Sequence, residues 1–198
     1  MQDALAPAIA APDGVGTTPD HDWLSLPEED LAVMHAEALA LFCRPGAVAA
    51  FDGAAASLAL LHQLMIARAV VRSLGAPPAE ARAAMRSDHV LGYLFGLASG
   101  STGPASAPHG ERRVAATLMM LHDIAYGQRA AEALTAALLA EGTSRVGEGF
   151  ADGMLAAAAD FAALEHWRRG TGGALPGGLL DGLGWSCWWR DGAGGLPH

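Results

Sequence analysis

The sequence predicts an all-α protein of about five helices, and three observations carry that expectation. Alanine supplies much of a 52% apolar composition, and alanine is the best helix former while adding little burial per residue. Apolar residues recur at helical spacing, as in Leu31, Met34, Ala38 and Leu41. Glycine, proline and short polar residues fall between such stretches, where helices start and stop. A chain of 198 residues accommodates one domain with a sizeable core and is short for two.

The elements follow in chain order. Residues 1–24 are rich in Ala, Pro, Gly, Asp and Thr without helical period and read as a flexible arm carrying Trp23. Ser25-Leu26-Pro27-Glu28 has the form of a capping box, predicting a first helix over about residues 27–43 that ends at Arg44-Pro45-Gly46. Asp52, a good N-cap, opens a long apolar helix to Leu74, with Gly75 as its stop. Pro77-Pro78 starts a third helix through Gly92 and Gly96 to about Ser99, because a first-turn proline has no N–H to lose. Gly100 to Gly110 reads as a loop. A fourth helix spans about residues 111–140 and stops at Gly142, and Thr143-Ser144 caps a fifth that reaches about Arg169. The helical domain is thus residues 25–169. Residues 170–198 form a Gly- and Pro-rich tail where no helix is expected, carrying the aromatic cluster Trp185, Trp188 and Trp189. Large aromatics rarely stay bare on a soluble monomer, so that cluster is expected to fold back on the bundle or to meet a partner.

Two motifs recur in the same order. Leu58, Leu61, His62 and Leu64 stand against Leu118, Leu121, His122 and Ile124, and Gly92-Tyr93-x-x-Gly96 stands against Gly149-Phe150-x-x-Gly153. The pattern suggests an internal duplication, with two helical hairpins making a four-helix bundle and the first helix packed alongside. Glycine inside a helix costs about 1 kcal/mol relative to alanine, so Gly92, Gly96, Gly149 and Gly153 imply an offsetting gain. Spacing of four puts each pair on one face, where a second helix backbone, a ligand or another subunit approaches closely.

Charge and cysteine usage narrow the function classes. The net charge is −9 and all twelve basic residues are arginine, with no basic run, so a phosphate backbone is repelled and nucleic-acid binding is disfavoured. Cys43 and Cys187 form neither a metal knuckle nor a disulfide framework, which fits a reducing compartment. The N-terminus shows no secretory pattern, and the apolar window from Ala54 to Val71 is broken by His62, Gln63 and Arg68, a poor membrane span. These features lead to the expectation of a cytoplasmic protein with no membrane association.

His35, His62 and His122 each follow a leucine by four residues and so lie beside an apolar stripe. Converging, they would make a metal or haem site; otherwise each ring covers the core edge. The Glu-x-x-His phrase of bundle metal centres does not occur in the chain. Leu121-His122-Asp123-Ile124 resembles the core phrase of the HD-domain metal-dependent phosphohydrolases, which are all-helical. That resemblance implies metal held by His122 and Asp123 with an upstream histidine, matched by His89, and a downstream aspartate, matched by Asp160, the metal polarising a phosphate and activating water. The family's usual Gly-Lys after the phrase is Ala125-Tyr126 here, and no histidine lies between Asp123 and Asp160. The leading expectation is a non-enzymatic helical-bundle protein without a cofactor, acting on a protein partner or by self-association. An HD-like phosphohydrolase, active or degenerate, is the second reading, and a histidine-ligated metal or haem carrier the third.

Overall fold

A computed structural model describes residues 22–44, 52–101, 110–141, 147–170 and 176–185, and every regular element among them is an α-helix. In order these are α1 (Glu28–Phe42), α2 (Asp52–Leu74), α3 (Pro78–Ala84), α4 (Asp88–Ser101), α5 (Gly110–Tyr126), α6 (Gln128–Glu141), α7 (Glu148–Arg168) and α8 (Gly178–Gly182). Among the described residues eight helices therefore stand where five were expected, for three local reasons.

The helix predicted from Pro77 to Ser99 breaks into α3 and α4 at a turn over Met85 to Ser87. Ser87 is the new start, its hydroxyl accepting the Val90 N–H at 3.4 Å, and the Met85 carbonyl freed by the break accepts the buried Tyr126 hydroxyl. The helix predicted over residues 111–140 breaks into α5 and α6 at Gly127, whose φ of 84° is a left-handed conformation that a side chain disfavours. The third addition, α8, lies in the segment read as tail.

Order also begins earlier than Ser25. Trp23 is 1% exposed, and Asp22 accepts both the Ser25 N–H at 3.0 Å and the Ser25 hydroxyl at 2.7 Å while pairing with Arg82 of α3. The Ser25 side chain is spent there, so the expected capping box does not form, and α1 starts behind Pro27 with no side-chain cap. Glu28 pairs instead with Arg72, and Arg68 donates to the Leu26 carbonyl, lashing the approach to α1 onto α2. The rest of the expected arm, residues 1–21, lies outside the described residues.

α4 and α7 pack most closely of all pairs, α2 touches α4, α5 and α7, α6 pairs with α5, and α1 rests on α2. Leu60, Leu61 and Leu64 of α2, Leu94 and Leu97 of α4, and Leu118 and Leu121 of α5 supply fully buried side chains to one continuous core. α8 closes that core by inserting Leu179 and Leu180 against α2, α4 and α7. α2 is long and apolar enough to cross a membrane by length and composition, with 61% of its most apolar window covered by the rest of the protein.

Candidate functional site

The site begins with a backbone crossing. At Gly92 a Cβ would stand 2.1 Å from the Phe150 carbonyl oxygen, and at Gly153 one would stand 2.0 Å from the His89 carbonyl oxygen. At Gly96 the nearest atoms would be the Ala157 Cβ at 2.8 Å and the Met154 Cα at 2.9 Å. These three glycines therefore let α4 and α7 approach to a distance that any side chain would prevent, with glycine Cα–H groups aimed at facing carbonyls. Gly149 differs: its nearest neighbour would be the Asp88 Cβ at 3.6 Å, an ordinary contact.

The close crossing carries a buried polar cluster. Tyr93 of α4 donates to Asp160 Oδ2 of α7 at 2.7 Å, and Gln63 of α2 directs its amide nitrogen to the Ala59 carbonyl at 3.0 Å, to Asp160 Oδ2 at 3.1 Å and to the Tyr93 hydroxyl. Burial first, and then the Asp160 carboxylate, push the Tyr93 hydroxyl well above its ordinary pKa. Tyr93 is thus held as a neutral donor.

What the cluster grips is α8. Asp160 Oδ1 accepts the Gly177 N–H at 3.0 Å and Oδ2 the Gly178 N–H at 2.9 Å; Gln63 Oε1 accepts the Leu179 N–H at 2.7 Å and the Leu180 N–H at 3.4 Å. The N–H groups that open a helix have no partner within it, and here four in succession are answered by two side chains from other helices. Asp160 also sets a carboxylate against the positive end of the helix dipole. From the other side, His89 donates through Nε2 to the Gly178 carbonyl at 3.0 Å, which fixes the tautomer because a carbonyl only accepts. Its ring lies where a Gly182 Cβ would be, 1.8 Å from the nearest ring carbon. Gly178 is similarly tight, its Cβ position being 2.8 Å from Ala156 Cβ.

The residues matched to the HD phrase are therefore held by different partners. His89 and Asp160 meet the same short helix, both Asp160 oxygens being occupied by α8 donors. His122 is fully buried on α5 with Nδ1 2.8 Å from the Thr135 hydroxyl of α6 and its ring against Tyr126. Burial lowers its pKa to about 4. Asp123, next in sequence, is exposed. Among the described residues no group of three or more His, Cys, Asp or Glu is placed to hold a metal ion.

Of the three stripe-edge histidines, the structure brings together His35 and His62, whose ring centres are 5.8 Å apart, and leaves His122 with Thr135. A cavity of about 160 Å³ adjoins the pair, walled by Leu39, Leu58, Leu164, Trp167 and Pro176. On the other side of α1 runs a larger groove of about 480 Å³ between α1, α2 and α5, with Met34, Ala38, Leu41, Leu61, Met120 and Ile124 as its apolar wall. Glu37 of α1 and Asp123 of α5 are the charged groups lining it, both exposed and neither in an ion pair among the described residues.

Trp185 is half-buried against the core, its backbone N–H bonded to the Leu180 carbonyl at 2.9 Å, while Trp188 and Trp189 lie outside the described residues. Sequence reasoning missed Gln63 as a functional group and α8 as an element. The available signal was Gly177-Gly178-Leu179-Leu180-Asp181-Gly182, whose glycines sit where His89 and Ala156 press on the backbone. Compared with known proteins, the chain matches no family model, no curated protein and no solved structure.

Proposed function

We propose that this is a non-enzymatic binding protein, with the groove between α1, α2 and α5 as the docking face for a protein partner. The observation that carries this reading is the pairing of an apolar floor with two exposed carboxylates, Glu37 and Asp123, contributed by different helices and in no ion pair among the described residues. An amphipathic helix laid in such a groove buries its apolar face and places an arginine or lysine beside each carboxylate. The net charge of −9 steers a basic partner toward this face and selects against acidic ones. The alternative chemistry of the buried Tyr93–Asp160–Gln63 cluster is satisfied internally by α8, so the groove is the better candidate for contact with another molecule.

The test is affinity capture from the source cell with the wild type and with the double reversal Glu37→Arg, Asp123→Arg. Both residues are exposed, so the fold survives the change. Loss of a captured protein in the reversal, with its retention in Leu155→Asp on the exposed face of α7, supports the reading. An unchanged set of captured proteins refutes it. A sedimentation shift to a smaller species in the reversal would assign the groove to self-association instead.

A further inference from the structure

We propose that His35 and His62 form a two-imidazole site for a cuprous ion that bridges α1 and α2. The inference is independent of the groove. The two rings come from separate helices, with centres 5.8 Å apart and planes inclined by 34°. With metal–nitrogen bonds of about 2 Å, two imidazoles sharing one ion keep their ring centres within about 6 Å. The helices therefore already stand at ligating distance, and side-chain torsion of the half-buried His35 completes the geometry.

The ring nitrogens are chemically ready. His62 Nε2 is buried and has no hydrogen-bond partner among the described residues, a condition that costs a polar group free energy unless something answers it. Burial lowers the pKa of both rings, and for His62 the neighbouring His35 lowers it further against an opposing effect of Asp160. Neutral imidazole is the form that ligates metal.

The surroundings select the ion. The adjoining cavity is walled by leucines, Trp167 and Pro176, and no third His, Cys, Asp or Glu among the described residues joins the pair. A divalent ion of tetrahedral or octahedral habit would lack protein ligands for its remaining positions. It would also pay a larger desolvation cost, because that cost grows with the square of the charge. A monovalent d10 ion needs two donors and carries half the charge, and imidazole is a copper ligand. Bound in this way, the ion would pin α1 to α2.

The test is anaerobic titration of the full chain with Cu(I) in ascorbate against a chromophoric Cu(I) chelator, joined to X-ray absorption of the loaded protein and thermal melting. The expected result is one equivalent retained, nitrogen as the nearest scatterer with no sulfur, and a melting temperature that rises on loading. His35→Ala and His62→Ala should each weaken retention at least tenfold and abolish the rise, while His166→Ala on α7 leaves both unchanged. His35 is half-exposed, so His35→Ala keeps the fold, which circular dichroism verifies. The proposal is overturned if His35→Ala holds copper as tightly as the wild type, if the wild type yields all its copper to the chelator, or if sulfur scatterers show ligation by Cys43 or Cys187.

Discussion

Replacing Gly153 and Gly149 by alanine, one at a time, should move stability in opposite directions although both belong to the same Gly-Phe-x-x-Gly phrase. At Gly153 the added methyl would stand 2.0 Å from the His89 carbonyl oxygen and 2.6 Å from the Tyr93 nitrogen. Those are backbone atoms of a buried helix and cannot rotate away. Restoring an ordinary carbon–oxygen contact of about 3.4 Å requires α4 and α7 to part by more than about 1 Å, a shift that close-packed interiors resist. The Tyr93–Asp160 hydrogen bond, 2.7 Å long, spans the same crossing and would be stretched with it. Overpacking costs about 1–3 kcal/mol and the weakened buried bond about 1–3 kcal/mol, against about 1 kcal/mol gained from helix propensity. The net loss is about 3 kcal/mol, equivalent to about 6–12 °C in melting temperature for a chain of this size. At Gly149 the nearest contact is 3.6 Å, so the propensity gain of about 0.5–1 kcal/mol is retained, reduced slightly by its place in the first turn of α7. Urea denaturation followed by far-ultraviolet circular dichroism measures both. A Gly153→Ala protein as stable as the wild type would refute the crossing as the reason for these glycines.

Three further outcomes follow from the same structure. Asp160→Asn turns an acceptor into a donor facing the Gly177 or Gly178 N–H, and should cost about 2 kcal/mol or more; hydrogen exchange at residues 177–180 should accelerate while α5 is unaffected. Truncation after Gly170 removes α8 and leaves the Asp160 and Gln63 acceptors without the N–H groups of Gly177 to Leu180, so the melting temperature should fall with no change in oligomeric state by light scattering. His122 is protonated near pH 6.5 in the unfolded chain but only near 4 when folded, so the unfolded state binds the proton first as pH falls. Its contribution is complete above about pH 6.5 and is lost progressively down to about pH 4, amounting to about 3 kcal/mol. His122→Gln should flatten the stability profile over that interval.

The sequence made some of this visible and hid the rest for physical reasons. The C-terminal end of α2 at Leu74 is written locally, in Gly75 with φ of 61°. The breaks at Met85 and Gly127 were obscured because apolar periodicity runs through them, and what opens the helix is a bond to a distant carbonyl or a single left-handed residue. The spacing of Gly92 and Gly96 marks a close approach but not the atoms that approach, which is why Gly149 and Gly153 look alike in sequence and differ in structure. α8 is five residues long, too short to show a period, and its stability resides in Gln63, more than a hundred positions upstream. The three histidine phrases place each ring at the edge of an apolar stripe, yet only the packing of α1 on α2 decides that His35 meets His62 and His122 does not.

The hold of α2 and α7 on α8 has a consequence for the order of events during synthesis. Chains emerge N-terminus first at about 5–20 residues per second, so Asp160 and Gln63 are both present for about a second or more before Gly177 to Leu180 arrive. In that interval Asp160 Oδ1 and Gln63 Oε1 are acceptors that only water can answer, and the glycine crossing cannot dry out around them. Closure of α8 is then the event that expels the water and commits the fold. A chain interrupted shortly after α7 would keep a wet notch at its centre and a far lower barrier to unfolding, which makes it a ready substrate for proteolytic clearance.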